Sequence, residues 1–303
     1  MVVISEGNLI MNKKSNIKFV FLISIFLSVL IFSMITPVYS QTSASDSSYH
    51  PYHVNYWVTG GIIIGGLTLE KIGVPWLSNK SAITIAELHN LNRNDISPID
   101  RWALNFNPYV RDRYNKLSNQ MVFIGAILPV FTMLDNNIRH DWLDILMMYL
   151  QTQTISNNLY LYSPFGATFQ NRLRPVVYYE ELDISTRTSN NNRNSLYSGH
   201  AAATAAASFF TAKIFCDYHP ELGWKKYLVY GAASIPPLLM AYFRLGALEH
   251  FPTDLLTGIG VGALCGILIP ELHRMHDKNI SLDLYSSSEA TGLAVKWQPD
   301  FLK

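Results

Sequence analysis

Uncharged runs alternate with polar stretches along this chain, and most of the runs have helical lengths. The first, Phe19 to Ile35, follows Lys13, Lys14 and Lys18 and leads into Val38-Tyr39-Ser40. A positive flank, an apolar run and small or permissive closing residues predict an export signal over 1–40. The run is long for a signal, so the alternative is an uncleaved N-terminal membrane anchor. Met11 is an alternative start. Residues 54–69 carry no charge and hold the pairs Gly60-Gly61 and Gly65-Gly66, which let helices approach closely. Residues 74–120 turn polar and Asn-rich, with Pro75, Pro98 and Pro108. They read as a solvated connection, with Asp100-Arg101-Trp102 and the Arg111/Arg113 pair on an amphipathic surface segment. Met121 to Leu134 predicts a helix, and Asp141-Trp142-Leu143-Asp144 opens another that runs to Tyr160. Ala201 to Phe215 follows. Tyr227 to Tyr242 is expected to kink at Pro236-Pro237. Leu255 to Pro270 is the last helix, with Gly258 and Gly262 as a small packing face. Ile280 to Trp297 alternates loosely around Ser286-Ser287-Ser288, the pattern of a small hairpin.

Together these elements predict an all-α fold. It is a helical bundle of about five to six core helices with the active site at one end and a possible small C-terminal β-hairpin. The chain divides into 1–40, a helical domain over 41–279, and a tail over 280–303. The uncharged helix cores run to about 14–17 residues, just short of the ~20 of a full membrane span. Composition tips the balance. The chain is 49% hydrophobic and 15% charged, against about 25% charged in soluble domains. An integral bundle is therefore favoured over a soluble exported one.

Charge and cysteine narrow the picture further. Residues 1–40 hold Lys13, Lys14, Lys18 and Glu6, so without them the 23 basic and 22 acidic side chains fall to 20 and 21. That balance gives no footprint for nucleic acid. Cys216 and Cys265 sit in apolar helical runs and read as buried thiols rather than a disulfide framework. His50 with His53, and His273 with His276, are too few ligands for a metal site.

The chemistry concentrates between residues 174 and 254. Arg174-Pro175 comes first, then Tyr197-Ser198-Gly199-His200, then Arg244, His250 and Asp254. Arginine offers a planar fork of donors that fits a tetrahedral oxyanion and never loses its charge. Ser198-Gly199-His200 runs into the alanine-rich stretch 201–207, so helix-start amides there also favour an anion. Pro252 suits the first position of the next helix. Asp254, four residues after His250, is expected to accept the imidazole N–H and fix its tautomer. That would leave the other ring nitrogen as a nucleophile or acid–base group. Residues 176–194 form a polar loop holding Glu180, Glu181 and Asp183, expected to overhang the site.

Arg-Pro, then Ser-Gly-His, then Arg244-x5-His250-x3-Asp254 resembles the three signature motifs of the type-2 phosphatidic acid phosphatase and vanadium haloperoxidase superfamily. The order and the third-motif spacings are intact, and the likeness extends over roughly 54–275. Three positions depart from the family pattern. Ala167 stands where a lysine usually opens the first motif, Tyr197 where proline opens the second, and Phe243 where serine opens the third. Losing the lysine removes a cation, which Arg172 or Arg187 is expected to replace.

The resemblance implies a metal-independent phosphatase acting on a phosphomonoester or pyrophosphate, such as a lipid phosphate. His250 would attack phosphorus, Asp254 would hold it, and His200 would protonate the leaving oxygen and then activate water. Arg174, Arg244, Ser198 and the Gly199 amide would hold the phosphoryl oxygens. No metal, no cofactor and no obligatory protein partner are expected, only substrate and membrane lipid. The exported N-terminus implies an inner-membrane site facing the periplasm or exterior, or else a soluble periplasmic protein. The alternatives are a catalytically impaired phosphate- or lipid-binding member of the same fold and a vanadate-dependent haloperoxidase.

Overall fold

A computed structural model describes residues 50–274 and the backbone of 280–286 and 291–297. The signal or anchor over 1–40, the choice of Met11 as start, and His276 lie outside the described residues. Seven helices dominate: α1 Tyr56–Ser78, α2 Arg111–Thr132, α3 Trp142–Tyr162, α4 Gly199–Tyr218, α5 Lys226–Ala233, α6 Ile235–Gly246 and α7 Pro252–His273. Strands β1 Ile280–Ser286 and β2 Thr291–Trp297 pair antiparallel, Ile280 opposite Trp297.

Helix α4 is the axle of the bundle. Ala201, Ala202, Ala205, Ala206 and Ala207 are buried, with Phe210 and Ile214 further along. A helix that is apolar and small on nearly every face is covered on every face. Helices α2, α3, α5, α6 and α7 all pack against α4, and α1 lies against α3. The α4–α7 contact is the tightest, and a stripe of glycine makes it so. A Cβ on Gly258 would stand 2.5 Å from the Ser198 carbonyl oxygen, and one on Gly266 would stand 2.6 Å from that of Ala206. Gly262, between them, faces the Ala202 carbonyl closer still. The sequence singled out Gly258 and Gly262; Gly266 extends their four-residue spacing.

One expectation is refined and another changes. The interruption expected at Pro236-Pro237 falls at Ser234, whose dihedrals stay helical, and the two prolines occupy the first turn of α6, where their missing N–H groups cost little. Residues 74–120 are not a solvated connection. Ile83, Ile96, Ala103 and Leu104 join a core cluster with Val176, Val177, Leu248, Phe251 and Leu255. Asp100 is only 2% exposed. Caps explain how so polar a segment folds inward. Thr84 and Glu87 form a capping box, while Asn92 and Asn107 accept backbone N–H bonds. The polar side chains satisfy turn backbone and leave the aliphatic ones to bury.

Among the described residues three helices are long and apolar enough to cross a membrane: Tyr56–Ser78, the Pro220–Gly246 rod that contains α5 and α6, and Pro252–His273. On α1 the glycine pairs divide their work. Gly60 and Gly66 face α3 through Met147 and Thr154, while Gly61 and Gly65 face open space. Cys216 and Cys265 are buried free thiols.

Candidate active site

Helix starts position the site. Ser198 caps α4, its hydroxyl accepting from the Ala201 N–H at 3.4 Å. The amides of Gly199 and His200 belong to the first turn and have no partner within the helix. The Ser198 N–H donates to the Asp254 carbonyl oxygen at 3.2 Å, which ties the start of α4 to the start of α7.

The two motif arginines converge. Arg174 and Arg244, 7% and 4% exposed, both bond the carboxylate of Glu249. Arg174 Nη1 donates to Oε2, and Arg244 Nη2 reaches the same oxygen at 3.3 Å. Arg244 Nη1 also donates to Asn115 Oδ1 at 2.9 Å and to Ser118 Oγ at 3.2 Å. Burial alone would push the Glu249 carboxyl up. Arg174, Arg244 and Arg111 outweigh it and hold the group below its ordinary value.

His250 is buried, 2% exposed, and its Nδ1 lies 2.7 Å from the Ser195 carbonyl oxygen. A carbonyl can only accept, so Nδ1 carries the proton and Nε2 keeps its lone pair. Asp254 does something other than expected. Its carboxylate accepts from Arg172, from Ser195 Oγ at 2.6 Å and from the Phe251 N–H at 2.8 Å. The tautomer of His250 is thus set by the Ser195 backbone, and Asp254 fixes the Ser195 segment and the turn around His250. Sequence spacing placed Asp254 within reach of the ring, but the carboxylate turns back to cap its own helix start.

His200 Nε2 donates to Asn119 Oδ1 at 2.9 Å. Burial and then the Arg244 guanidinium push its pKa well down, against the pull of Glu249. Burial, Arg244 and Arg174 do the same to His250. These shifts predict a pH signature. A histidine whose pKa is lower folded than unfolded adds stability above the free imidazole value of ~6.5, and that stability is lost as pH falls below it. The melting temperature of the parent should therefore drop between pH 7 and pH 5 more steeply than that of His250→Asn. Parallel curves would contradict the depressed value.

Arg172 is not placed as the missing first-motif cation. Its Nη1 donates to Thr253 Oγ1 and Asp254, its Nη2 donates to Asp100 at 2.7 Å, and its guanidinium lies over the Phe251 ring. Asp100 also accepts from the Thr253 N–H. Arg187 is likewise committed, donating through Nε to the Val177 carbonyl. The loop 176–194 contributes a buried Asn192, whose carbonyl accepts from the Arg174 N–H at 2.8 Å, while Glu180, Glu181 and Asp183 are exposed.

Several groups had no signature in sequence. Glu249, Ser195, Asn115, Ser118 and Asn119 were not singled out. Lys80, just past α1, donates to the carbonyls of Ala167 at 2.5 Å and of Gln170. Burial first, then Arg193 and Arg174, lower its pKa to about 8. Its ammonium clamps the loop that carries Ala167, its hydrogen bonds going to carbonyls, while the charges of Arg193 and Arg174 are felt from nearby. Among the described residues no group of three or more His, Cys, Asp or Glu could hold a metal. His50 Nδ1 instead pairs with Asp141 at 2.7 Å.

Residues 142–278 match the model of the PAP2 superfamily. Among solved structures the chain is similar to a transmembrane PAP2-type phosphatidylglycerolphosphate phosphatase from Bacillus subtilis. The two are 18% identical with a TM-score of 0.39, over 70% of this chain and 93% of that one. No curated protein matches. The matched region spans Arg174, Ser198, His200, Arg244, His250 and Asp254, so all six lie in the part of the chain that is similar to the PAP2 superfamily.

Proposed function

We propose that the protein is a metal-independent phosphatase that hydrolyses a lipid phosphomonoester or pyrophosphate through a phosphohistidine. The observation that carries this reading is the Ser195 carbonyl on His250 Nδ1. It leaves an unprotonated Nε2 on a side chain close enough to two buried arginines to feel their charge. That is the arrangement of an activated nucleophile beside oxyanion donors.

In this mechanism Nε2 of His250 attacks phosphorus as the bond to the leaving oxygen breaks. Arg174 and Arg244 hold the phosphoryl oxygens, with the Gly199 amide and Ser198 beside them. The dianion raises the pKa of His200, which then gives its proton to the leaving oxygen. A water enters and loses its proton to His200 as it attacks the phosphohistidine. Inorganic phosphate leaves, and His250 is regenerated. Asp254 acts through the Ser195 segment rather than on the ring.

A lipid is the substrate class because three helices suit a bilayer and α7, which begins beside His250, is one of them. The expected exported N-terminus puts the site on the non-cytoplasmic side.

The test uses the full chain in detergent with excess EDTA and a panel of lipid phosphates and pyrophosphates. Phosphate release, with a protein-bound phosphate that survives alkali and is lost in acid, is the expected result. No release from any substrate, or release that needs an added divalent cation, would sink the reading.

A further inference from the structure

Three guanidiniums meet at one carboxylate. Besides Arg174 and Arg244, Arg111 Nη2 lies 3.7 Å from Glu249 Oε1. The buried charges do not balance, since three cations surround a single buried anion; the only other carboxylate at Arg111 among the described ion pairs is that of the exposed Asp112, 3.9 Å from its Nε. The hydrogen bonds do not balance either. The Nε atoms of Arg111, Arg174 and Arg244 are all buried with no acceptor. Buried donors without acceptors are rare, and the desolvation penalty is larger for a charged group than for a neutral one. Three of them on arginines that share one carboxylate describe a seat with acceptors still to come.

Arg111 opens α2, and Asn115, Ser118 and Asn119 follow on the same helical face. That face meets the site at every step. Asn115 and Ser118 hold Arg244, and Asn119 holds His200. The other candidate cations are occupied elsewhere, Arg172 by Asp100 and Asp254, and Lys80 by loop carbonyls. We propose that Arg111 is a third phosphate-binding arginine, supplying the cation absent at Ala167, with Glu249 as the internal counter-ion that keeps the three forks in place.

The proposal rests on the phosphatase reading above and adds a substrate preference. Three arginines less one carboxylate leave a charge of about +2, which complements a dianionic phosphomonoester better than a monoanionic diester.

Arg111→Gln, Arg111→Lys, Arg174→Gln and the exposed control Arg113→Gln would be assayed in detergent for kcat and KM on a lipid phosphomonoester. Competitive inhibition by orthovanadate, a tetrahedral anion, would be measured in parallel. Arg111→Gln is expected to weaken vanadate inhibition by about tenfold or more and to lower kcat/KM by about 10²-fold. Arg111→Lys should recover part of both losses, and Arg113→Gln should match the parent. If Arg111→Gln melts early, Arg111→Lys carries the test, because it keeps the charge and loses the fork. Parent-like vanadate inhibition in Arg111→Lys would then overturn the proposal. Parent-like values in Arg111→Gln, with Arg174→Gln impaired, would overturn it too. A parent that is neither inhibited by vanadate nor active overturns the phosphatase reading itself.

Discussion

His250→Asn is expected to lower phosphate release by about 10⁴-fold or more while the protein stays folded. Asparagine can still donate from its amide to the Ser195 carbonyl, so the local hydrogen bond has a replacement. What disappears is Nε2, the only atom of that side chain able to bond phosphorus. The covalent step then has no nucleophile, and the residual rate is what Arg174, Arg244 and the α4 amides supply by binding alone. Loss of the alkali-stable protein phosphate should accompany the loss of rate. His200→Asn should also slow turnover but leave that label formed with substrates whose leaving group needs no proton. A His250→Asn variant that releases phosphate at a rate within about tenfold of the parent would exclude His250 as nucleophile.

Gly262→Val is expected to destabilise the bundle by about 3 kcal/mol. The first carbon of any side chain there meets the Ala202 carbonyl, with the Ala202 carbonyl carbon at 2.8 Å and Ala205 Cβ at 2.9 Å. Backbone cannot yield as a side chain can, so α7 must move off α4. That displacement reaches the site, because the same two helices carry Ser198, His200 and Asp254 at their starts. Activity should therefore fall along with the melting temperature. Gly260→Ala, on the same helix but facing open space, is the control and should change stability by no more than about 1 kcal/mol. Equal melting temperatures for the two variants would show that the glycine stripe is not what sets the helix spacing.

Much of this was legible before any coordinates. Apolar runs of helical length marked the bundle, since a helix reveals its buried stripe by its own period. Arg174, Ser198, Gly199, His200, Arg244, His250 and Asp254 were legible as a set because their residue types share one chemistry and two of the spacings are local. The missed residues share a physical feature too. Glu249 reads as an ordinary surface glutamate until Arg174, 75 residues away, is folded onto it beside Arg244, five residues before it. Asn119 and Ser118 read as helix polarity until α2 is laid beside α4, which carries His200, and α6, which carries Arg244. Asp100 and Arg172, 72 residues apart, gave no hint of the ion pair that secures the start of α7.

The chain alone thus determined the apolar helices and the order of the motifs, because periodicity and composition are written locally. Only the tertiary structure decided which acceptor each donor meets. Arg172 turned to Asp100 and Asp254, His250 to a backbone carbonyl, and Arg111 to the neighbourhood of Glu249. A hydrogen bond depends on ångströms and angles between segments far apart in sequence, and no local pattern encodes those.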